Sequence, residues 1–243
     1  MAEETNLANL DGFFLHKPTR PDGNPVSFEE AEKILLAQLA ASRSGYEEDR
    51  LRTLAHFYSY ANRPMKALKC VQKLCALTDD PENKAHCYLS IGQLMENVNN
   101  FQSAAMFYKR AFLMEPTDTR VWYFINNNLA YCLNMLGKYA EAEKYCRAAI
   151  RMNPKQYNAY KNLGISLAGQ GDFRSAATNF ITATRRNAAD PRALTHLEEL
   201  IKQHSELPAA MPDLLSELEN CRKTVKMAAE IKREIMKRDD TDK

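Results

Sequence analysis

The sequence predicts an all-α solenoid of about four helix-turn-helix repeats with capping helices. Three observations predict it. Segments of one pattern recur at a near-fixed period, small residues recur where two helices must approach closely, and no stretch alternates apolar and polar residues as a half-buried strand would. A fixed period decides architecture before local propensity does, because each unit repeats the same packing against its neighbour.

The recurring segments are "YLSIGQLMENVNNFQSAAMFYKRAFLMEP", "NNLAYCLNMLGKYAEAEKYCRAAIRMNP" and "YKNLGISLAGQGDFRSAATNFITATRRNA", each read as a helix, a tight turn and a second helix. Gly92, Ala130 and Gly164 follow Ile91, Leu129 and Leu163, so a small residue sits beside a large one where the paired helix crosses. Gly137 and Gly171 end the first helix in two copies, and Asn99 takes that place in the earlier one; all three tolerate the left-handed conformation of a helix C-cap. After the turn come Phe101, Tyr139 and Phe173, then Ala104, Ala142 and Ala176, then Tyr108, Cys146 and Phe180, then Ala111, Ala149 and Ala183. Spacings of three and four put these on one stripe of the second helix.

With these residues in place the chain resembles the tetratricopeptide repeat family, whose 34-residue unit carries a large residue, Leu-Gly, an aromatic, two separated alanines and a closing Pro. Pro116 and Pro154 match the closing Pro, and Ala188 departs from it. On this register the repeats run 85–118, 123–156 and 157–190, with a weaker copy at 48–81 that keeps Leu51, Leu54, Ala55, Tyr58 and Ala67. The resemblance implies a right-handed α-α superhelix. Four residues, "TRVW", separate two of the repeats, so the helix through Asn126 is expected to begin a turn early, with Trp122 on the face of Asn126.

The solenoid is expected to span 26–204. It opens with "SFEEAEKILLAQLAASRSG", where Ser27 and Glu30 form a capping box ahead of an apolar stripe, and ends with a capping helix at 191–204 started by Asp190 and Pro191. Residues 1–25 hold Pro18, Pro21, Pro25, Gly12 and Gly23 and read as a flexible arm, although Phe13, Phe14 and Leu15 could dock in a groove. A last helix at 212–238 carries an apolar stripe with basic residues between, diluted by Glu219, Glu230 and Glu234.

Composition narrows the function. The 33 Lys plus Arg nearly cancel the 31 Asp plus Glu, so no overall field points to nucleic acid. No apolar run reaches a membrane span, and the N-terminus is acidic where a signal peptide is basic, which leads to an expected cytoplasmic location. Six scattered cysteines form no CxxC pair and read as small buried hydrophobes, and the five histidines complete no metal set, so neither metal nor cofactor is expected. No nucleophile, base or phosphate loop stands at workable spacing, and no enzyme activity is expected.

Recognition is the remaining class. The resemblance implies that groove-facing residues recur at the second, fifth, sixth, ninth, twelfth and thirteenth positions of each repeat. Among them the candidate peptide-binding residues are Arg52, His56, Gln93, Phe124, Asn127, Asn128, Tyr131, Asn158, Lys161 and Asn162. Asn128 and Asn162 stand one period apart, and an amide's donor and acceptor suit a peptide backbone. The carboxylate-clamp variant of the family places Lys and Asn in one repeat, Asn in the next, and Lys and Arg in a third; Arg52 with His56, Ser90, and Phe124 with Asn128 depart from it. The expected function is a non-enzymatic scaffold holding a protein or peptide segment in the concave groove. Two alternatives stand beside it: a self-assembling unit, a homo-oligomer through the N-terminal arm or the C-terminal helix, and a chaperone similar to the three-repeat type III secretion chaperones.

Overall fold

The computed structural model describes residues 26–41 and 46–241, with side chains as far as Lys237. The reading of 1–25 as an arm therefore lies outside the described residues. Among the described residues twelve helices follow one another: α1 (Phe28–Ala40), α2 (Glu47–Tyr60), α3 (Pro64–Leu77), α4 (Pro81–Asn97), α5 (Phe101–Phe112), α6 (Thr119–Met135), α7 (Tyr139–Met152), α8 (Tyr157–Gly169), α9 (Phe173–Arg186), α10 (Arg192–Gln203), the single turn α11 (Leu207–Ala210) and α12 (Leu214–Thr241). No strand occurs among the described residues.

Each repeat is an antiparallel pair, α2/α3, α4/α5, α6/α7 and α8/α9, and consecutive pairs stack. The first helices also touch one another, α4 to α6, α6 to α8 and α8 to α10, and so form one continuous inner layer. The turn within a pair uses the expected left-handed residues, with φ of 58° at Asn99, 71° at Gly137 and 85° at Gly171. Asn62 does the same in the weak first copy, at 54°.

The small residues set how closely paired helices lie. A Cβ built on Gly92 would stand 2.4 Å from the Tyr108 ring, and one on Gly164 would stand 2.5 Å from the Phe180 ring. In the repeat between them Ala130 keeps its methyl, because the facing residue there is the smaller Cys146, packed in the same core cluster. Among the described residues the core runs as three large clusters in succession along the solenoid, with a small fourth of Tyr123, Ala149 and Ala159, so each repeat buries its stripe against its neighbours.

Two inner helices are longer than the repeat requires. α4 and α6 have 17 residues where α8 has 13. The Asp80 side chain caps α4, and the Asp118 carboxylate accepts from the Arg120 N–H at 2.7 Å to start α6, one turn ahead of the expected register. The Ser27/Glu30 capping box forms at α1. At the capping helix the bounds shift by one residue: the Asp190 carboxylate accepts from the Arg192 N–H at 3.1 Å, and the helix begins at Arg192 rather than Pro191. α12 packs on α9 and α10 through Leu214, Leu218 and Cys221. All six cysteines are free, and five are buried.

Candidate functional site

The inner layer presents side chains from α2, α4, α6 and α8 to one side. Toward its N-terminal end these enclose a cavity of about 480 Å³, lined by Arg52 and His56 from α2, His86, Gln93 and Asn97 from α4, and Arg120 and Phe124 from α6. Arg52, His56, Gln93 and Phe124, predicted from repeat position, are thus brought together. The Phe124 ring is 45% exposed, a large apolar face on an otherwise polar wall. The Arg52 guanidinium donates to Asn83 Oδ1 at 3.4 Å, which leans it along α4.

Further along, the amides turn inward. Asn127 is buried, and so is Asn162. The Asn162 amide donates to Asn127 Oδ1 at 3.1 Å and to the Asn127 carbonyl at 3.3 Å, while the Asn127 amide donates to Asn128 Oδ1 at 3.0 Å. Asn134 donates to the Asn162 carbonyl at 2.8 Å and accepts from the Ser166 hydroxyl at 2.8 Å. These bonds cross from α6 to α8 and brace the inner layer. The expected open pair of Asn128 and Asn162 is therefore not a pair of free amides. The sixth-position residue of one repeat reaches the fifth-position residue of the repeat before it, because the first helices pack close enough for short side chains to span. Asn162 Oδ1 remains enclosed without a hydrogen-bond partner.

Asn126, the first of the three consecutive asparagines, has a role that spacing alone left unexplained. It is 1% exposed, and its amide donates to the Trp122 carbonyl at 2.8 Å within its own helix and meets Met152 Sδ at 3.8 Å. Trp122 itself stands edge-on to Phe112, with ring centroids 4.9 Å apart.

Charge gathers where α4, α6, α8 and α10 meet. The Tyr108 hydroxyl donates to Glu96 Oε2 at 2.8 Å and also faces the Asn128 amide. Burial pushes the Glu96 carboxyl up from its ordinary range, and the Tyr108 hydroxyl pulls part of that back. Lys161 is only 6% exposed, and burial, followed by the Arg192 charge, holds its ammonium down to about 8. Asp190 is fully engaged by Arg192 and by the Tyr157 hydroxyl at 2.8 Å, and Arg192 holds its carboxyl well below the usual range. Tyr131 is half-buried and edge-on to Phe101, and Asn158 is half-buried outside the amide network.

Family models described as tetratricopeptide repeat match residues 125–156 and 161–219. The chain carries tetratricopeptide repeats. It is 28% identical over 137 residues to tetratricopeptide repeat protein 7B of Homo sapiens, a match covering 56% of this chain and 15% of that protein. The chain thus spans a small part of the curated relatives it matches. Two solved structures show the same tetratricopeptide fold. MamA of Desulfovibrio magneticus RS-1 superposes with a TM-score of 0.57 at 15% identity, covering 79% of this chain and 98% of that one. YrrB, described as a tetratricopeptide repeat protein with an unusual peptide-binding site, superposes with a TM-score of 0.58 at 17% identity, covering 82% and 97%.

Within this tetratricopeptide frame, position in the repeat located the wall residues but not their burial. Arg52, His56, Gln93 and Phe124 stand open to the cavity. Asn127, Lys161 and Asn162 lie beneath the surface because α6 and α8 close on one another. Ser166 is buried, and as a polar residue on the first-helix stripe it was a signal that α6 and α8 share a polar contact. Among the described residues no cluster of His, Cys, Asp or Glu could hold a metal, and no helix is long and apolar enough to cross a membrane.

Proposed function

We propose that the chain is a non-enzymatic interaction scaffold that holds an extended protein or peptide segment along the inner layer. The observation that carries this reading is the cavity of about 480 Å³ shared by three successive first helices, where Phe124 offers an exposed ring among polar groups of Arg52, His56 and Gln93. An aromatic anchor surrounded by hydrogen-bonding side chains is the arrangement that fixes one ligand side chain and its backbone. The likeness to a protein with a peptide-binding site supports the reading by fold alone.

The reading is tested on an array of random 12-residue peptides. Phe124→Ala and Gln93→Ala are expected to weaken binding of the best peptides about tenfold or more. Met106→Ala, a change of an exposed residue on the outer helix α5, serves as control and is expected to leave binding unchanged. Equal binding by Phe124→Ala and the unaltered chain rejects the inner layer as the binding surface.

One observation favours a second reading, self-assembly through the C-terminal helix. Past its contacts with α9 and α10, α12 continues with Met227, Ile231 and Ile235 each more than half exposed along one stripe. Light scattering of the chain with and without residues 230–243 decides between the readings: a mass that falls on truncation supports assembly, and an unchanged monomer rejects it.

A further inference from the structure

The near-balance of charge over the whole chain hides a division between the two helix layers. The first helices α2, α4, α6 and α8 carry five Lys or Arg against five Asp or Glu, whereas the second helices α3, α5, α7 and α9 carry eleven against two. Both acids of that outer layer are already paired, Glu141 with Lys109 at 2.8 Å and Glu143 with Arg147 at 2.7 Å.

All eleven outer cations are exposed. Helical spacing turns them away from the core: Lys66, Lys69 and Lys73 lie opposite Ala67, Cys70 and Leu74 on α3, and Lys144, Arg147 and Arg151 lie opposite Ala142, Cys146 and Ala149 on α7. Lys66, Lys109, Arg147 and Arg185 have acidic partners, and Arg110 and Arg186 lie over the Phe107 and Tyr160 rings. Lys69, Lys73, Lys144, Arg151 and Arg174 make no ion pair among the described residues. Like charges gathered on one side repel one another, so the fold gains nothing from holding them there.

The same ridges expose apolar side chains. Met65 is 63% exposed and Met106 45%, and each stands one turn from a cation, Lys69 and Arg110. Flexible apolar groups set among Lys and Arg match the boundary of an anionic bilayer, where the cations meet headgroups and the apolar ends enter just beneath them. Single-stranded nucleic acid favours exposed rings on which bases stack. Phe112, the most exposed ring of these four helices, is instead turned edge-on against Trp122 and Tyr145.

We infer that the outer layer of α3, α5, α7 and α9 is a docking face for an anionic lipid membrane, bound peripherally through the unpaired cations with Met65 and Met106 at the headgroup boundary. The face lies on the other side of each helix pair from the cavity around Phe124, so the inference does not rest on the groove reading.

The test sediments the full chain with vesicles of phosphatidylcholine alone and with vesicles holding about 30% phosphatidylserine. At about 0.1 M salt the anionic vesicles are expected to bind about tenfold more chain than the neutral ones, and that excess is expected to vanish at about 0.5 M. The combined change Lys69→Glu, Lys73→Glu and Lys144→Glu is expected to lower anionic-vesicle binding about tenfold or more. The same change of charge on exposed residues of α12, Lys226→Glu, Lys232→Glu and Arg233→Glu, is expected to lower it about twofold or less. Met65→Ser with Met106→Ser is expected to weaken it about threefold or more at unchanged charge. Equal binding to neutral and anionic vesicles overturns the inference, and this comparison needs no variant. An equal loss in the two triple variants also overturns it, because net charge and not this face would then be responsible. Capture of single-stranded or duplex nucleic acid without capture of anionic vesicles overturns it as well. Peptide binding that stays sensitive to Phe124→Ala in any of these cases leaves the groove reading standing.

Discussion

The Tyr108 ring fills the space that a side chain on Gly92 would need, with a Cβ there 2.4 Å from the ring. The same relationship holds between Gly164 and Phe180, and it is relaxed between Ala130 and Cys146, where a smaller partner leaves room for a methyl. Size is thus matched across each helix pair, small on the first helix against large on the second.

Gly92→Ala is therefore expected to destabilise the chain by about 1–3 kcal/mol, the range for overpacking a closely fitted contact, measured by urea unfolding. Tyr108→Cys removes the obstacle and recreates the Ala130/Cys146 arrangement. The double variant is expected to be less destabilised than the sum of the two single changes. Strict additivity would show that the ring does not set the helix separation.

Asn134 ties α6 to α8 through the Asn162 carbonyl and Ser166, both at 2.8 Å and both buried. Asn134→Ala removes both bonds across the helices and leaves the Ser166 hydroxyl and the Asn162 carbonyl only their 3.0 Å bond to each other within α8, so a loss of about 1–3 kcal/mol is expected. Asn158→Ala, at a half-buried residue outside the network, is expected to change stability by less than about 0.5 kcal/mol. Equal effects would mean that the amide network contributes nothing to the contact between first helices.

These cases show where the sequence was legible. Period, turn residues and the pairing of Gly92, Ala130 and Gly164 with Tyr108, Cys146 and Phe180 are local or one-unit relations, and they gave the helices and their order. The early start of α6 was readable because the four extra residues "TRVW" could only lengthen a helix already capped at Asp118. Burial of Asn127 and Asn162 was not readable, because a position in the repeat fixes direction toward the groove but not the distance between neighbouring first helices. That distance depends on residues 28 to 35 positions away in the chain, such as Asn134 against Asn162 and Asn127 against Asn162. Asn126 likewise needed its own helix backbone and Met152 to be placed before its role was visible.

The two halves of α12 are expected to behave differently. Leu218 is 6% exposed against α9 and α10, so Leu218→Ala is expected to cost about 2–5 kcal/mol. Ending the chain after Ala229 removes Ile231 and Ile235, both more than half exposed, and is expected to shift stability by less than about 0.5 kcal/mol in dilute solution. Thermal unfolding of the two variants checks this. A large loss on truncation would show that the distal half is held by contacts of its own.

Lys161 makes the stability of the fold depend on pH. Burial depresses the Lys161 ammonium from 10.5 to about 8, so between those values the unfolded chain holds a proton that the folded chain has released. Stability from this residue therefore rises with pH across that window, and its burial penalty, at most about 3 kcal/mol, is fully present below pH 8. The buried thiols of Cys87, Cys132 and Cys146, pushed up to about 12, act the other way, since the unfolded chain loses those protons first. The whole-chain profile mixes both signs, and the informative quantity is the difference between Lys161→Met and the unaltered chain. Lys161→Met is expected to be the more stable near pH 7, with the gap closing toward pH 10.5. A gap that stays constant across that range would mean that the lysine is solvated in the folded chain and carries no burial penalty.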